Sequence, residues 1–281
     1  MPDRIEVITS PQNAKLKALA ALRERKERTA TGLCLVEGAR EILMAAAGGY
    51  DIESLFFCPA EIEPASDAEK VLTKTAQIAR QRFELSPVAF AKVAMREGRD
   101  GVIATVRTRT WTWDEVFGGA PADEKKPALI LAAQNVEKPG NLGALLRTAE
   151  AAGLNALVTL DEAVDVWNPN AIRASLGCAF RVPVLQLSSE EFVRKCRATG
   201  LKTVAAALAP GSKPHHDIDM RESVAIVMGA EASGLSPWWL ENADVTAVIP
   251  MLGEVDSMNV SVAAGIMVFE ALRQRRQQQK Q

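Results

Sequence analysis

Hydrophobic positions in the first third of the chain alternate between helix-spaced stripes and short continuous runs. Leu16, Leu19 and Leu22 recur at helical spacing in a basic stretch, which predicts one amphipathic helix over residues 11–28. Short apolar runs predict strands near 33–36, 54–58, 83–85 and 101–107. Helices are predicted between them, near 39–47, 66–82 and 86–95. The alternation predicts a small α/β domain over residues 1–107.

A second series of apolar runs follows a stretch rich in glycine, proline and charge. Residues 118–127, GGAPADEKKP, have the composition of a linker, and a short helix is predicted just before them. We therefore predict a linker over 108–127 and a second domain over 128–281. Its strands are predicted near 128–133, 156–160, 182–187, 202–207, 224–228 and 245–249. Continuous apolar strands such as ALILA are typical of a parallel sheet covered on both faces.

Composition narrows the class of protein. The 281 residues are 48% hydrophobic and 24% charged, as in ordinary folded proteins. No apolar run reaches ~18 residues, so no membrane span is predicted, and the N-terminus lacks the apolar core of a signal peptide. The cysteines form no CxxC pair, which favours reduced thiols in a cytoplasmic protein and argues against a metal site; they are Cys34, Cys58, Cys178 and Cys196.

Basic residues are concentrated near both ends of a chain whose net charge is −2. That net charge argues against a protein that coats nucleic acid through bulk charge. The cluster near the C-terminus consists of Arg273, Arg275, Arg276 and Lys280. Solvated helix faces are the alternative interpretation of either cluster.

The segment NVEKPGNLGALLRTAE, residues 135–150, carries the first candidate chemistry. It leaves a buried strand, turns at a Pro-Gly pair and enters a helix that we predict Asn141 to cap. Arg147 lies off the apolar stripe of this helix among small residues, from where a guanidinium can reach across a cleft. A surface arginine paired with Glu150 is the alternative. Asn135, at the end of the strand, is interpreted as a turn residue or a site residue.

The segment MGAEASGLSP, residues 228–237, joins a buried strand to a helix through a glycine-bounded loop. Gly229 and Gly234 allow the backbone to approach a ligand or to take positive φ. Ligands of open α/β sheets bind outside the carboxyl ends of the strands, where this loop is predicted to lie. Glu231 could orient a substrate or neighbouring backbone. A tight turn with a solvated Glu231 is the alternative.

The segment IPMLGEVDSMNVSVAAG, residues 249–265, ends a strand and precedes a long apolar helix. Backbone groups of such a loop can close around a small molecule, and Ser257 and Asn259 can bond a ligand or the free N–H groups of the helix. The helix, predicted from about 259 to 273, is apolar on nearly all sides. This pattern predicts packing on the sheet and against a second subunit, with a wholly intrachain core helix as the alternative.

Taken in order, the three segments resemble the signature motifs of the SpoU (TrmH-like) family of SPOUT RNA methyltransferases, over residues of about 128 to 275. SPQNAKLKALAAL and LVEGAREIL resemble, more loosely, the substrate-binding domain found ahead of many of these enzymes. The resemblance implies 2′-O-methylation of a ribose in structured RNA, with S-adenosylmethionine as methyl donor. It also implies an α/β fold with a trefoil-knotted parallel-sheet domain, and a homodimer with cofactor sites near the interface.

The resemblance assigns roles by motif position. The residues that match the active site are Arg147, Asn135, Glu231, Ser257 and Asn259. Those that match cofactor contacts are Gly229, Ile249 and Met258, and Gly234 belongs to the same loop. A free guanidinium has a pKa above ~12 and is a poor base, so we interpret Arg147 as a bidentate ligand of the phosphate beside the target ribose. Ser257, Asn259 or a water molecule would then relay the proton of the 2′-hydroxyl.

The N-terminal domain is expected to bind RNA phosphates. Its candidate contacts are Lys15, Arg23, Lys26 and Arg40. The extra domain favours ribosomal RNA as substrate; tRNA, or a catalytically inactive RNA-binding scaffold, remain alternatives. The chain has neither GxGxxG after a strand nor GxxxxGK[ST], so the sequence does not support a Rossmann enzyme or a nucleotide triphosphatase.

Overall fold

The computed structural model describes residues 5–75, 78–95, 100–118, 127–161, 164–230, 233–254 and 257–278. The chain forms two compact units. The first contains Met1–Arg109 and Asp165–Arg181, and the second contains Thr110–Val164 and Val182–Gln281. The chain therefore passes between the units three times.

The first unit is built on a mixed five-stranded sheet of order β1-β4-β3-β5-β2. The strands are β1 (Glu6–Ile8), β2 (Leu33–Glu37), β3 (Ile52–Phe57), β4 (Gln81–Leu85) and β5 (Val102–Arg107). The helices are α1 (Ala14–Ala21), α2 (Arg25–Thr31), α3 (Ala39–Ala47), α4 (Asp67–Thr75), α5 (Pro87–Val93) and α8 (Pro169–Ala174). β1, β4 and β3 are parallel, and β5 runs antiparallel to both β3 and β2. The α/β class is therefore confirmed for this unit.

The single helix predicted over residues 11–28 is wrong, because the chain breaks between α1 and α2. Arg28 stabilises the break: its Nη1 donates to the carbonyl oxygens of Leu22 (2.9 Å) and Arg23 (2.7 Å). These carbonyls would otherwise lack intrahelical partners at the end of α1. Glu24 takes an extended conformation at the start of α2. No Gly or Pro marks the position, so the local pattern gives no sign of it.

The helix predicted over residues 66–82 is also too long. α4 ends at Thr75, and Gln81 and Arg82 already belong to β4. β4 pairs with β1 on one side and β3 on the other, and Phe83 stacks on Phe56 with ring centroids 4.8 Å apart. Sheet pairing and burial therefore override the local helical pattern.

A segment from the second half of the sequence packs in the first unit. Residues 165–181, which include α8, cover the edge strand β2, and Trp167 and Phe180 both contact the ring of Tyr50. Asp165 pairs with the buried Arg28 at 2.8 Å. The predicted limits of 1–107, 108–127 and 128–281 do not anticipate this exchange, which only tertiary packing reveals.

The second unit contains an entirely parallel seven-stranded sheet of order β10-β12-β9-β11-β6-β7-β8. Its strands are β6 (Leu129–Gln134), β7 (Ala156–Leu160), β8 (Val184–Leu187), β9 (Lys202–Ala206), β10 (Lys213–Pro214), β11 (Val224–Met228) and β12 (Val245–Val248). Its helices are α6 (Trp113–Phe117), α7 (Pro139–Ala152), α9 (Ser189–Thr199), α10 (Pro237–Asn242) and α11 (Val260–Gln278). The predicted parallel sheet is confirmed, and only the two-residue β10 was missed.

Helix α11 is held to the sheet by its own C-terminal turn. The guanidinium of Arg275 donates to the carbonyl oxygens of Pro127, Ala128, Met220 and Glu222 at 2.7 to 3.2 Å. Burial lowers the pKa of Arg275. Arg275, which belongs to the C-terminal basic cluster, therefore fastens α11 to the segments that begin β6 and β11. Its guanidinium is neither solvated nor available to bind a phosphate.

The exposed side of α11 contradicts the alternative of a wholly intrachain core helix. Val260, Ala264, Met267, Val268 and Ala271 are buried, while Val262 and Phe269 are 53% and 48% exposed. An apolar face is therefore left uncovered within the single chain. No helix in the described part of the chain is long and apolar enough to cross a membrane.

Candidate active site

A cleft of about 460 Å³ opens at the carboxyl edge of the parallel sheet, where β9, β11 and β12 end. Its lining includes all four cofactor candidates, Gly229, Gly234, Ile249 and Met258, and also Ser257. The second and third sequence motifs therefore meet in one place. This position is where ligands of open α/β sheets bind.

The loop after β11 requires glycine at two positions for different reasons. A Cβ on Gly229 would lie 2.1 Å from the carbonyl carbon of Gly234, so the chain's own backbone excludes any side chain there. Gly234 has φ +67°, which favours glycine. Ala230 and Gly234 exchange two backbone hydrogen bonds of 2.9 and 3.0 Å, which close the loop. Glu231 lies outside the described residues, so its assigned role stays a prediction.

Apolar side chains form much of the cleft wall. Leu208, Leu240 and Met258 line it while remaining 71%, 42% and 36% exposed. Ile249 and Ala247 add further apolar surface from the end of β12. A planar aromatic ligand such as adenine would bury this surface, and backbone of Gly229, Ala230 and Gly234 lies beside it. The residues present therefore fit a nucleoside cofactor of the S-adenosylmethionine type.

Asn259 connects the third motif to the first. Its Oδ1 accepts from the N–H (3.0 Å) and Oγ (2.6 Å) of Ser261 at the start of α11, and its Nδ2 donates to Oδ1 of Asn141 at 3.1 Å. The prediction that Asn141 caps α7 is wrong, because Lys138 is the N-cap and Pro139 begins the helix. Asn141 lies inside the first turn, free to receive Asn259. The sequence did not single out this pairing.

Arg147 is exposed on α7 and is not among the described residues that line the cleft. The alternative pairing with Glu150 is not realised, since no ion pair joins these two described side chains. α7 packs against α11, whose N-terminal Asn259 bonds to α7 as described above. The guanidinium therefore has no fixed partner among the described residues of its own helix.

Asn135 lies at the same sheet edge as the cleft, one residue past the end of β6. Its φ is +52°, and its N–H donates to the carbonyl oxygen of Leu160 at 3.2 Å. Asn is one of the few residues that tolerates this left-handed conformation, so the geometry supports the turn interpretation. No hydrogen bond from its side chain to a described residue supports a second role.

A largely buried polar network next to the cleft-lining loop was missed by sequence reasoning. Gln134, Asp161, Ser189, Ser236 and Trp239 form it through side-chain hydrogen bonds of 2.7 to 3.4 Å. Burial on its own raises the pKa of Asp161, but hydrogen bonds from Gln134 and Ser189 outweigh it and leave the pKa lowered. The available signal was a polar residue at the end of an otherwise apolar strand, LILAAQ.

The four RNA-contact candidates of the first unit separate into two pairs. Lys15 forms an ion pair with Glu6 and lies 4.6 Å from the ring centre of Phe83, and Arg23 donates to the carbonyl oxygen of Val93 at 2.7 Å. Lys26 and Arg40 are exposed, and neither makes an ion pair with another described residue. Lys26 and Arg40 are therefore better placed than Lys15 and Arg23 to contact RNA. Within the described ranges, no group of three or more His, Cys, Asp or Glu side chains could bind a metal ion.

Comparison with protein families gives two matches along the chain. Residues 128–269 match the SpoU rRNA Methylase family, and residues 13–104 match the MRM3-like substrate binding domain. A 23S rRNA guanosine 2′-O-methyltransferase of Bacillus subtilis, RlmP, is 32% identical over 265 residues, which cover 93% of this chain and 97% of that protein.

Solved structures agree with these matches. An S-adenosylmethionine-bound rRNA methyltransferase from Sinorhizobium meliloti superimposes with a TM-score of 0.84 at 30% identity, covering 96% of this chain and 98% of that one. The SpoU methyltransferase AviRb from Streptomyces viridochromogenes, in complex with the same cofactor, gives a TM-score of 0.81 at 27% identity, covering 94% and 100%. The similarity thus includes both units.

Proposed function

Because the chain belongs to the SpoU rRNA methylase family, we propose that it transfers a methyl group from S-adenosylmethionine to a ribose 2′-oxygen of ribosomal RNA. One observation carries the proposal: the four cofactor-binding candidates, three of them assigned by motif position, line a single cleft at the carboxyl edge of the parallel sheet. Ribosomal RNA is favoured because full-length relatives are 23S rRNA methyltransferases and because the substrate-binding unit is present.

In this proposal Gly229 and Gly234 contact the cofactor through their backbone, and Ile249 and Met258 contact its adenine ring. When bound, S-adenosylmethionine supplies a methyl group already activated by its sulfonium. The chain's own task is then to align the ribose oxygen, and orientation of this kind can supply ~7–11 kcal/mol. The apolar walls of the cleft would exclude water from the site.

Arg147 binds the phosphate beside the target ribose in two parallel hydrogen bonds. Ser257 is one of the residues that line the cleft, and we assign it the relay that passes the proton of the 2′-hydroxyl to solvent water. Asn259 fits a positioning role better, because both ends of its amide are already bonded to Ser261 and Asn141. Asn135 and Glu231 are proposed to keep the surrounding loops in place.

We propose that the first unit binds RNA through phosphate contacts of Lys26 and Arg40, with Lys15 and Arg23 as weaker candidates because both already have intramolecular partners. Deleting residues 1–107 is a poor test, because Trp167 and Phe180 would lose their packing partner Tyr50. Substitution of single exposed cations in the full chain tests the assignment without this damage.

A homodimer is part of the proposal, and the exposed apolar face of α11 supports it. Val262 and Phe269 lie on this face, and a cavity of about 210 Å³ is lined by Phe269 and Leu272 together with the polar residues Arg273, Arg276 and Gln277. Large apolar side chains exposed on one helix face, with polar residues at the rim, are typical of association sites. Packing of a second copy against α11 would bring two clefts near one interface.

We also propose that the second unit is trefoil-knotted and that the protein is cytoplasmic. The strand order supports the knot, because β11 pairs with one edge of β9 and β12 with the other. The chain then returns as α11, which packs against β11 and α7. Four free, buried cysteines and the proposed RNA substrate support a reducing compartment.

A methyl-transfer assay tests the proposal. The full-length protein is incubated with radiolabelled S-adenosylmethionine and either 23S ribosomal RNA or tRNA, each prepared from a strain lacking the protein. We expect label in ribosomal RNA, at a nucleotide whose 3′ linkage resists alkaline cleavage because its 2′-oxygen is methylated. Label confined to tRNA would contradict the substrate assignment, and no label with either RNA would contradict the activity.

A further inference from the structure

The polar network of Gln134, Asp161, Ser189, Ser236 and Trp239 joins elements that each reach the carboxyl edge of the sheet. Gln134 is the last residue of β6, Asp161 follows β7, Ser189 begins α9, and Ser236 precedes α10. Gln134 is 5% exposed and Ser189 4%. Trp239 Nε1 donates to Ser189 Oγ at 3.2 Å, which closes the network on the side of α10.

Gln134 uses both ends of its amide. Its Oε1 accepts from the backbone N–H of Ser236 at 3.0 Å, while its Nε2 donates to Asp161 Oδ2 at 2.8 Å and to Ser236 Oγ at 3.2 Å. The carboxylate of Asp161 can only accept, so it fixes which end of the amide faces it. Asp161 is itself held by the N–H (2.9 Å) and Oγ (2.7 Å) of Ser189.

The same glutamine is next to both ends of the cofactor loop. Met228 is paired with Ala133 in the sheet, so Gly229 leaves β11 beside Gln134. The loop then returns to Gln134 at Ser236. Between these points, Gly229, Ala230, Gly234 and Leu235 line the cleft. The side chain of Gln134 therefore helps to fix the position of the returning end, next to the cleft-lining residues Gly234 and Leu235.

We infer that Gln134, oriented by Asp161 and Ser189, is a positioning residue for S-adenosylmethionine binding. It does not touch the cleft and acts only through the loop at 229–236. The inference rests on the proposed function, since it concerns the same cofactor. The inference predicts that removing the hydrogen bonds of Gln134 lowers the free energy of cofactor binding more than it lowers the free energy of unfolding.

The first test replaces Gln134 by Leu, which keeps the size but removes every bond. Titration calorimetry of the full-length variant with S-adenosylmethionine, well below its unfolding midpoint, should give a Kd at least about tenfold above that of the wild type. Thr159→Val is the matched control: it removes another buried side-chain hydrogen bond from the same sheet, to the carbonyl oxygen of Leu185. Its Kd should equal that of the wild type.

Gln134→Glu keeps the inference testable if the leucine variant fails to fold. The new carboxyl still accepts from Ser236 but faces Asp161, and two carboxyl groups in one site share a proton with a raised pKa. At pH 8 the Kd ratio of variant to wild type should be large. It should fall toward one near pH 5, where the protonated glutamate can donate to Asp161.

A pH-independent ratio near one for Gln134→Glu, or a folded Gln134→Leu protein with wild-type affinity, would overturn the inference alone. Absence of cofactor binding by the wild type would instead overturn the proposed function. The two failures are thus distinguishable in one set of titrations.

Discussion

The cofactor cleft and the basic surface of the first unit are two different kinds of binding region. The cleft is made of backbone groups and apolar side chains on loops whose positions the parallel sheet sets. The basic surface depends on single long cations, two of which already have partners within the unit. From this difference we expect the cleft to lose most of its affinity when a single loop is distorted. The basic surface should instead lose affinity in small increments, one for each cation that is removed.

The largest expected effect comes from distorting the cleft with Gly229→Ala. A Cβ 2.1 Å from Gly234 forces the loop to move, and strain of about 1–3 kcal/mol with loss of loop geometry should raise the Kd of S-adenosylmethionine about 100-fold. Calorimetry measures it. Gly140→Ala is the matched control, because its Cβ would meet no atom within 4 Å. Equal affinities of both variants would show that the loop does not form the site.

Arg147 should separate catalysis from cofactor binding. Loss of a charge-assisted bidentate bond is worth roughly 1.5–3 kcal/mol, so Arg147→Ala should lower kcat/KM for RNA about 10- to 100-fold while leaving the Kd of S-adenosylmethionine unchanged. Arg147→Lys should recover little, because an ammonium cannot make the paired contact. Near-normal methyl transfer by the lysine variant would contradict the bidentate role.

The apolar face of α11 belongs to neither kind of region, and a substitution on it tests the proposed dimer interface. Phe269→Glu places a charge where an aromatic side chain is 48% exposed, and loss of a central aromatic contact of about 2 kcal/mol should weaken association about 30-fold. Light scattering over a dilution series measures it. Val88→Glu, at a 68% exposed position of the first unit, is the control. A Phe269→Glu protein that stays dimeric at all concentrations would place the interface elsewhere.

The basic surface should respond in smaller steps. Replacing Lys26 and Arg40 together by Ala should weaken RNA binding several-fold at low salt and reduce the slope of log Kd against log salt by about 2, since each lost phosphate contact reduces it by about 1. Lys70→Ala, whose ammonium pairs with Asp67 at 2.7 Å, serves as control. If Lys15→Ala and Arg23→Ala had the larger effect, our ranking of the two pairs would be wrong.

The smallest effect concerns the pH dependence of stability. Because the pKa of Asp161 is lowered in the folded state, its contribution is present above the unfolded pKa of about 4 and is lost as pH falls through the folded value. Thermal unfolding of Asp161→Asn should therefore show a lower Tm than the wild type at pH 7 and a smaller difference below about pH 4. A difference that grows on acidification would contradict the assigned direction.

The same contrast explains what the sequence could predict. Strand positions and glycine loops follow from local patterns, and the topology of a parallel sheet then places the ends of β11 and β12 together. Motif position alone therefore groups Gly229, Ile249 and Met258, all of which line the cleft. The break between α1 and α2 is stabilised by side-chain hydrogen bonds of Arg28 that the spacing of apolar residues does not show. The transfer of residues 165–181 to the first unit and the Gln134 network depend on partners distant in sequence. No local pattern encodes such partners.

Ribose-methylation mapping of ribosomal RNA tests the central claim most directly. RNA from a strain lacking this protein would be compared with RNA from the same strain carrying the wild type or Arg147→Ala. We predict one 2′-O-methyl group in 23S RNA that is absent without the protein, is restored by the wild type and is not restored by the variant. Identical methylation maps in all three strains would contradict the claim.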